Sequence, residues 1–153
     1  MNREILFKAK RIDNGEWEIG SLILLPNGDC EIANRCINPP DSDPMWKKVV
    51  ITHNVDKDTI CQYTGLTDKN GNKIWENDVV KKHFYTDYDA YANSEKYIGK
   101  VEYLDCAWHI TFFDENNNKC IYPMFMAIEF KDAEYYEVLG NIFDNPELVG
   151  GAE

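Results

Sequence analysis

The chain has 153 residues, 44% hydrophobic and 13% aromatic, with a formal net charge of −11. A chain of this length buries about 68–70% of its unfolded surface, enough for a core that needs neither metal nor disulfide. Its longest uncharged apolar run, residues 19–26, falls short of the ~20 residues of a membrane helix, and the charged start Met1-Asn2-Arg3-Glu4 is not that of a signal peptide.

Residues 5–11 alternate, with Ile5, Phe7 and Ala9 on one side and Lys8 and Lys10 on the other, as a strand with one wet face requires. Asp13-Asn14-Gly15 turns the chain into a long strand over 16–25, and Pro26-Asn27-Gly28-Asp29 returns it along 30–33. Residues 34–46 hold Pro39, Pro40 and Pro44 without periodicity and read as a surface loop. Strands follow at 47–52 and 59–64, with a polar turn at 54–58.

Residues 61–80 organise the chain. They predict a strand, a tight turn at Asp68-Lys69-Asn70-Gly71, a short strand through Ile74 and Trp75, and Asn77-Asp78 leading into a strand over 78–84. Residues 85–97 break the rhythm: Thr86 and Asp89 have capping-box spacing, and a short helix or an irregular polar insertion both fit. Strands at 98–104, 107–113, 121–130 and 135–139 complete the series, joined at Asp105-Cys106 and by Asp114-Glu115-Asn116-Asn117-Asn118. The pattern places the chain in the all-β class, as a single domain of antiparallel strands over 1–149. It comprises N-terminal strands 4–33, a small SH3-like barrel at about 61–113, C-terminal strands 121–143 and a tail at 150–153.

The charge is uneven. Residues 1–60 carry −2, residues 61–100 balance, and residues 101–153 carry −9. Such a field works against phosphate backbones, so direct nucleic-acid binding is not expected, although Lys47/Lys48 and Lys81/Lys82 offer some basic surface. The five cysteines are scattered, without a Cys-x-x-Cys pair, and His53, His83 and His109 are isolated, so the expectation is reduced thiols and no zinc. Asp68-Lys-Asn70-Gly-Asn72 and Asp114-Glu-Asn116-Asn-Asn118 imitate calcium loops but lack the glycine and glutamate of an EF-hand, and read as turns. The pairs Asp41/Asp43, Asp56/Asp58 and Asp87/Asp89 read as solvated loop carboxylates.

No nucleophile elbow, dinucleotide fingerprint or phosphate loop is present, so no catalytic residue, cofactor or metal is assigned. His109 reads as a half-buried strand histidine with a backbone partner, and Cys36, in a loop after Arg35, is the best placed thiol for reactivity. Two candidate interaction surfaces remain. One is Tyr85, Tyr88 and Tyr91, spaced every third residue; the other is the acidic set Glu129, Asp132, Glu134 and Glu137.

Three blocks resemble the YopX family. They are residues 3–10 with Asp13-Asn14-Gly15-Glu16-Trp17 and Gly20-Ser21-Leu22; Gln62-Tyr63-Thr64-Gly65-Leu66 with Asp68-Lys69-Asn70-Gly71, Lys73-Ile74 and Glu76-Asn77-Asp78-Val79-Val80; and Gly140-Asn141-Ile142 with Asn145-Pro146-Glu147-Leu148. The resemblance implies a mostly β protein encoded by phages and prophages, with no established activity or catalytic residue to carry over. The family usually shows Glu-Gly-Asp where this chain has Glu76-Asn77-Asp78, and asparagine's tolerance of the left-handed region predicts that the turn survives.

The expected function is that of a non-enzymatic accessory protein in the bacterial cytoplasm, binding a host or phage protein and self-associating. A second reading is an acidic counter-defence or regulatory factor that occupies a host DNA-binding protein. A third is an enzyme or small-molecule binder.

Overall fold

The computed structural model describes residues 4–37, 49–82, 98–114, 116–124 and 136–149. The expected helix or insertion at 85–97 and the tail at 150–153 lie outside them. Among the described residues there is no α-helix, and none long and apolar enough to cross a membrane. The chain forms two compact units, Met1–Tyr63 and Thr64–Glu153, built from antiparallel strands.

The first unit is made by β1 (Phe7–Lys10), β2 (Trp17–Leu24), β3 (Cys30–Ile37), β4 (Val49–Val55) and the start of β5 (Cys61–Thr67), with a 3₁₀ turn at Lys57–Thr59. β2 serves two neighbours: residues 17–20 pair with β1 and residues 21–24 with β3. β4 pairs with β3, and β5 returns to β1 through Phe7↔Gln62 and Lys8↔Cys61. Side chains on one face of this curled sheet form its core: Ala9, Cys30, Ile32 and Val55, with Phe7, Leu22 and Ile60 against them. The far ends of β1 and β4 touch at a single bridge, Arg11↔Val55, flanked by bonds from Ile12 N–H to Asn54 O (3.1 Å) and Asp56 N–H to Lys10 O (2.8 Å).

β3 corrects one expectation. Residues 34–37 continue the strand, with Asn34 absorbed as a bulge between Ala33↔Thr52 and Arg35↔Ile51, so Cys36 lies in a strand opposite Val50 and not in a loop.

In the second unit β5 ends in a hairpin with β6 (Lys73–Trp75). β7 (Asp78–Lys82), β8 (Ile98–Leu104), β9 (Ala107–Phe113), β10 (Lys119–Pro123) and β11 (Tyr136–Asn141) form a five-stranded sheet in the order β10-β9-β8-β7-β11. A 3₁₀ turn at Pro146–Val149 follows. Alternation buries Trp108, Ile110 and Phe112 of β9 with Val101 of β8, Val80 of β7 and Tyr136 of β11, over Ile74 and Met124.

The strands expected at 78–84 and 98–104 are observed as β7 and β8, paired at Val79↔Lys100 and Val80↔Gly99. The SH3-like barrel at 61–113 is not: neither sheet closes, because residues 61–62 pair with β1 instead of joining β7–β9.

Three hairpin turns share one backbone plan. In 25–29, 68–72 and 114–118 the fourth residue donates to the first carbonyl, the first N–H donates to the fifth carbonyl, and the fourth residue (Gly28, Gly71, Asn117) has positive φ. The two Asp-x-Asn-x-Asn turns add the same carboxylate bonds: Oδ1 of Asp68 and of Asp114 accepts two turn N–H groups, and Oδ2 accepts the Asn72 or Asn118 amide. Both calcium-loop look-alikes are therefore turns whose carboxylates are consumed locally.

Asp68 does more. It is 4% exposed, and Oδ2 also accepts the N–H of Val138, while Lys69 N–H donates to Tyr136 O at 2.9 Å. The β5–β6 turn thereby covers an edge of β11, next to the bulge at Leu139. Burial pushes the Asp68 carboxyl up, but bonds from Val138, Asn72 and Asn70 outweigh it and hold the group below the usual range.

Candidate interaction surface

Among the described residues of the second unit, β9 and β10 carry the clearest exposed apolar strip. The β8–β9 hairpin closes through Asp105 and Cys106, both at positive φ, and sets Lys100↔Thr111 and Glu102↔His109 on the face opposite the core. The turn at 114–118 then sets Phe113↔Lys119 and Ile121↔Thr111, which makes Phe113 and Ile121 diagonal neighbours on that same face. They are 50% and 47% exposed. On the other face of β10, Tyr122 stacks on Phe112 with centroids 5.6 Å apart and has the Lys82 ammonium 5.8 Å from its ring.

A small ionic group borders the strip. Lys100 Nζ lies 2.6 Å from Glu102 Oε1, and Lys119 Nζ lies 3.8 Å from Oε2. Burial raises the Glu102 carboxyl, yet the Lys100 ammonium, the adjacent Thr111 hydroxyl and the Lys119 charge pull harder and keep it below the ordinary glutamate range. Thr111 stands beside Glu102 without reaching hydrogen-bond geometry. Two lysines thus share one carboxylate, and the Asp114 carboxylate stands in the turn between Phe113 and Lys119. His109 is half-buried with Nδ1 3.1 Å from Ala107 O, the backbone partner expected of it.

Glu137 is the described member of the sequence-derived surfaces. It is cross-strand to Lys81 and accepts from Lys69 Nζ at 2.7 Å, so it belongs to the covered β11 edge, with three strands between it and β10. Tyr85, Tyr88, Tyr91, Glu129, Asp132 and Glu134 lie outside the described residues. Sequence reading passed over Phe113 and Ile121 because each sits in an ordinary alternating strand; only the pairing register makes them neighbours.

The first unit holds a second polar cluster. Arg11 binds Asp13 through two bonds (2.9 and 2.5 Å) and lies 3.8 Å from Glu18, which also receives the Asn34 amide. Nδ1 of His53 is 3.0 Å from Glu18 Oε2, an ion-pair distance without hydrogen-bond alignment. His53 is therefore not isolated, as its sequence setting suggests. Arg11, Asp13 and His53 line an open depression with Asn27, Asp29 and Lys57. No group of metal-ligating side chains occurs among the described residues. Cys30 and Cys61 are buried, Cys120 is half-buried and Cys106 is exposed, all as free thiols.

The family model described as YopX protein matches residues 28–150. Among solved structures the chain is similar to the crystal structure of protein EF1440 from Enterococcus faecalis, at 20% identity and a TM-score of 0.46, over 97% of this chain and 99% of that one. Comparison with curated proteins gives no match.

Proposed function

Because the chain belongs to the YopX family, we propose that it is a phage- or prophage-encoded accessory protein that works in the bacterial cytoplasm by binding another protein, without catalysis. The observation that supports this reading is the exposed pair formed by Phe113 at the end of β9 and Ile121 on the outer strand β10 of the five-stranded sheet, flanked by Lys119. The opposite outer strand, β11, has its edge occupied by Asp68 and Lys69. Exposed apolar side chains on a terminal strand suit the docking of an extended partner segment, and Lys119 and Pro123 at the two ends of β10 limit uncontrolled strand addition.

The test is affinity capture from the bacterial host during prophage induction, with wild type and a Phe113→Ser/Ile121→Ser variant. A partner held by the wild type and lost from the variant, with an unchanged melting temperature, supports the reading. Equal capture by both removes this surface, and capture of the chain itself alone makes the occupant a second copy. A partner lost only when Glu129, Asp132, Glu134 and Glu137 are replaced by lysine would favour the acidic regulatory reading instead.

A further inference from the structure

The chain has three Asn-Gly pairs, Asn14-Gly15, Asn27-Gly28 and Asn70-Gly71, all in exposed turns. In such a pair the unshielded glycine nitrogen is free to attack the asparagine side chain. The nitrogen lone pair bonds to Cγ, the Cγ–Nδ2 bond breaks, and ammonia leaves with the proton of the glycine N–H. Water then opens the resulting cyclic imide at either carbonyl, giving aspartate or isoaspartate. Ring closure requires two freedoms: the glycine N–H must leave its hydrogen bond, and the carboxamide must swing toward it.

The first requirement is the same in the two matched turns. Gly28 N–H donates to Leu25 O and Gly71 N–H to Asp68 O, each at 3.0 Å, and both glycines have left-handed φ, +89° and +83°. Gly15 N–H is likewise held by Arg11 O at 2.9 Å. The second requirement separates them. The Asn27 carboxamide is held at both ends, Nδ2 to Asp29 Oδ2 (2.6 Å) and Oδ1 from Asp29 N–H (3.1 Å). Asn14 is held in the same way by Glu16, at 2.9 and 3.0 Å. Asn70 uses its backbone N–H on Asp68 Oδ1 (2.8 Å), and among the described residues its carboxamide has no partner.

We propose that Asn70 is the chain's preferred site of spontaneous deamidation, with water as the only co-reactant. The product sits in the turn that covers β11. An aspartate at 70 places a second negative charge beside the Asp68 carboxylate, and an isoaspartate adds a backbone methylene between the Asp68 Oδ1 bonds to residues 70 and 72. Either change loosens the grip of this turn on Val138, so an aged molecule is a less stable one.

The full chain is incubated at pH 8 and 37 °C, natively and in urea, and peptide mapping follows the gain of about one dalton per site. In urea the three sites convert at comparable rates. In the native protein Asn70 converts at least several-fold faster than Asn27 and Asn14. An Asp29→Ala variant, which removes the side-chain bond to Asn27 Nδ2 and leaves only the backbone N–H bond to Oδ1, raises the rate at Asn27 toward that at Asn70 and leaves Asn70 unchanged. Native conversion of Asn14 or Asn27 that matches Asn70, or native protection of all three sites alike, overturns the assignment.

Discussion

The backbone N–H of Val138 donates to the carboxylate of Asp68, 70 residues earlier in the chain, at 3.1 Å. The folded carboxyl is held below its unfolded value, so its contribution to stability is complete above about pH 4 and is lost as the pH falls through the lower folded value. Urea midpoints of the wild type should therefore drop steeply on acidification below pH 4. Asp68→Asn should flatten that slope, with Asp13, Glu102 and Asp114, whose carboxyls are shifted the same way, contributing to what remains.

The second Asp-x-Asn-x-Asn turn supplies a control. Asp114 makes the same three local bonds as Asp68 but, among the described residues, reaches no distant strand. Asp68→Ala leaves the Val138 N–H and the turn amides without an acceptor and should cost about 3 kcal/mol. Asp114→Ala should cost much less, and the difference between the two urea midpoints measures the docking onto β11. Equal losses would show that the turn alone matters.

The β8–β9 hairpin turns through two non-glycine residues with positive φ, Asp105 (+47°) and Cys106 (+65°). The left-handed region is costly for a side chain with a Cβ, so Cys106→Gly should raise stability by about 1 kcal/mol. Thermal melting of the variant checks it, and a lower melting temperature would mean that the cysteine side chain makes a contribution of its own. Asn77, at +64°, occupies the family's glycine position with its N–H on Val101 O and its carbonyl receiving Ile142 N–H. Asn77→Gly should be close to neutral and Asn77→Val strongly destabilising.

Gly140 follows the β11 bulge. A methyl group there would run into the Asn145 side-chain oxygen and Leu148 Cδ1. Gly140→Ala should cost about 2 kcal/mol by overpacking. Trimming the obstacle with Leu148→Ala in the same chain should not restore it fully, since Asn145 remains.

Local chemistry made the strands and turns legible: the glycines and asparagines of the 25–29, 68–72 and 114–118 turns mark them directly, and Asn77 adopts the conformation expected of it. The prolines at 39 and 40 drew the loop reading back over 34–37, where pairing with β4 sustains the strand through its bulge. β10 begins at Lys119, two residues before the expected strand over 121–130, and ends at Pro123, while residues 125–130 lie outside the described residues. What stayed hidden depends on pairs distant in sequence. Asp68 reads as a turn former because Val138 is invisible to any local window. Glu18 and His53 meet only once four strands have curled. The barrel expectation failed for the same reason: β7 and β8 were readable as strands, while the choice of β1 by residues 61–62 was not.

β5 carries a consequence for how the molecule comes apart. Its first residues complete the sheet of one unit and its last residues begin the hairpin of the other, with the unit boundary falling between Tyr63 and Thr64. No cut in the chain separates the two cores without severing a strand. A fragment ending at 60 leaves β1 without its Phe7↔Gln62 and Lys8↔Cys61 pairs, and one beginning at 68 leaves β6 without its hairpin partner, so each should melt below the same unit in the whole chain.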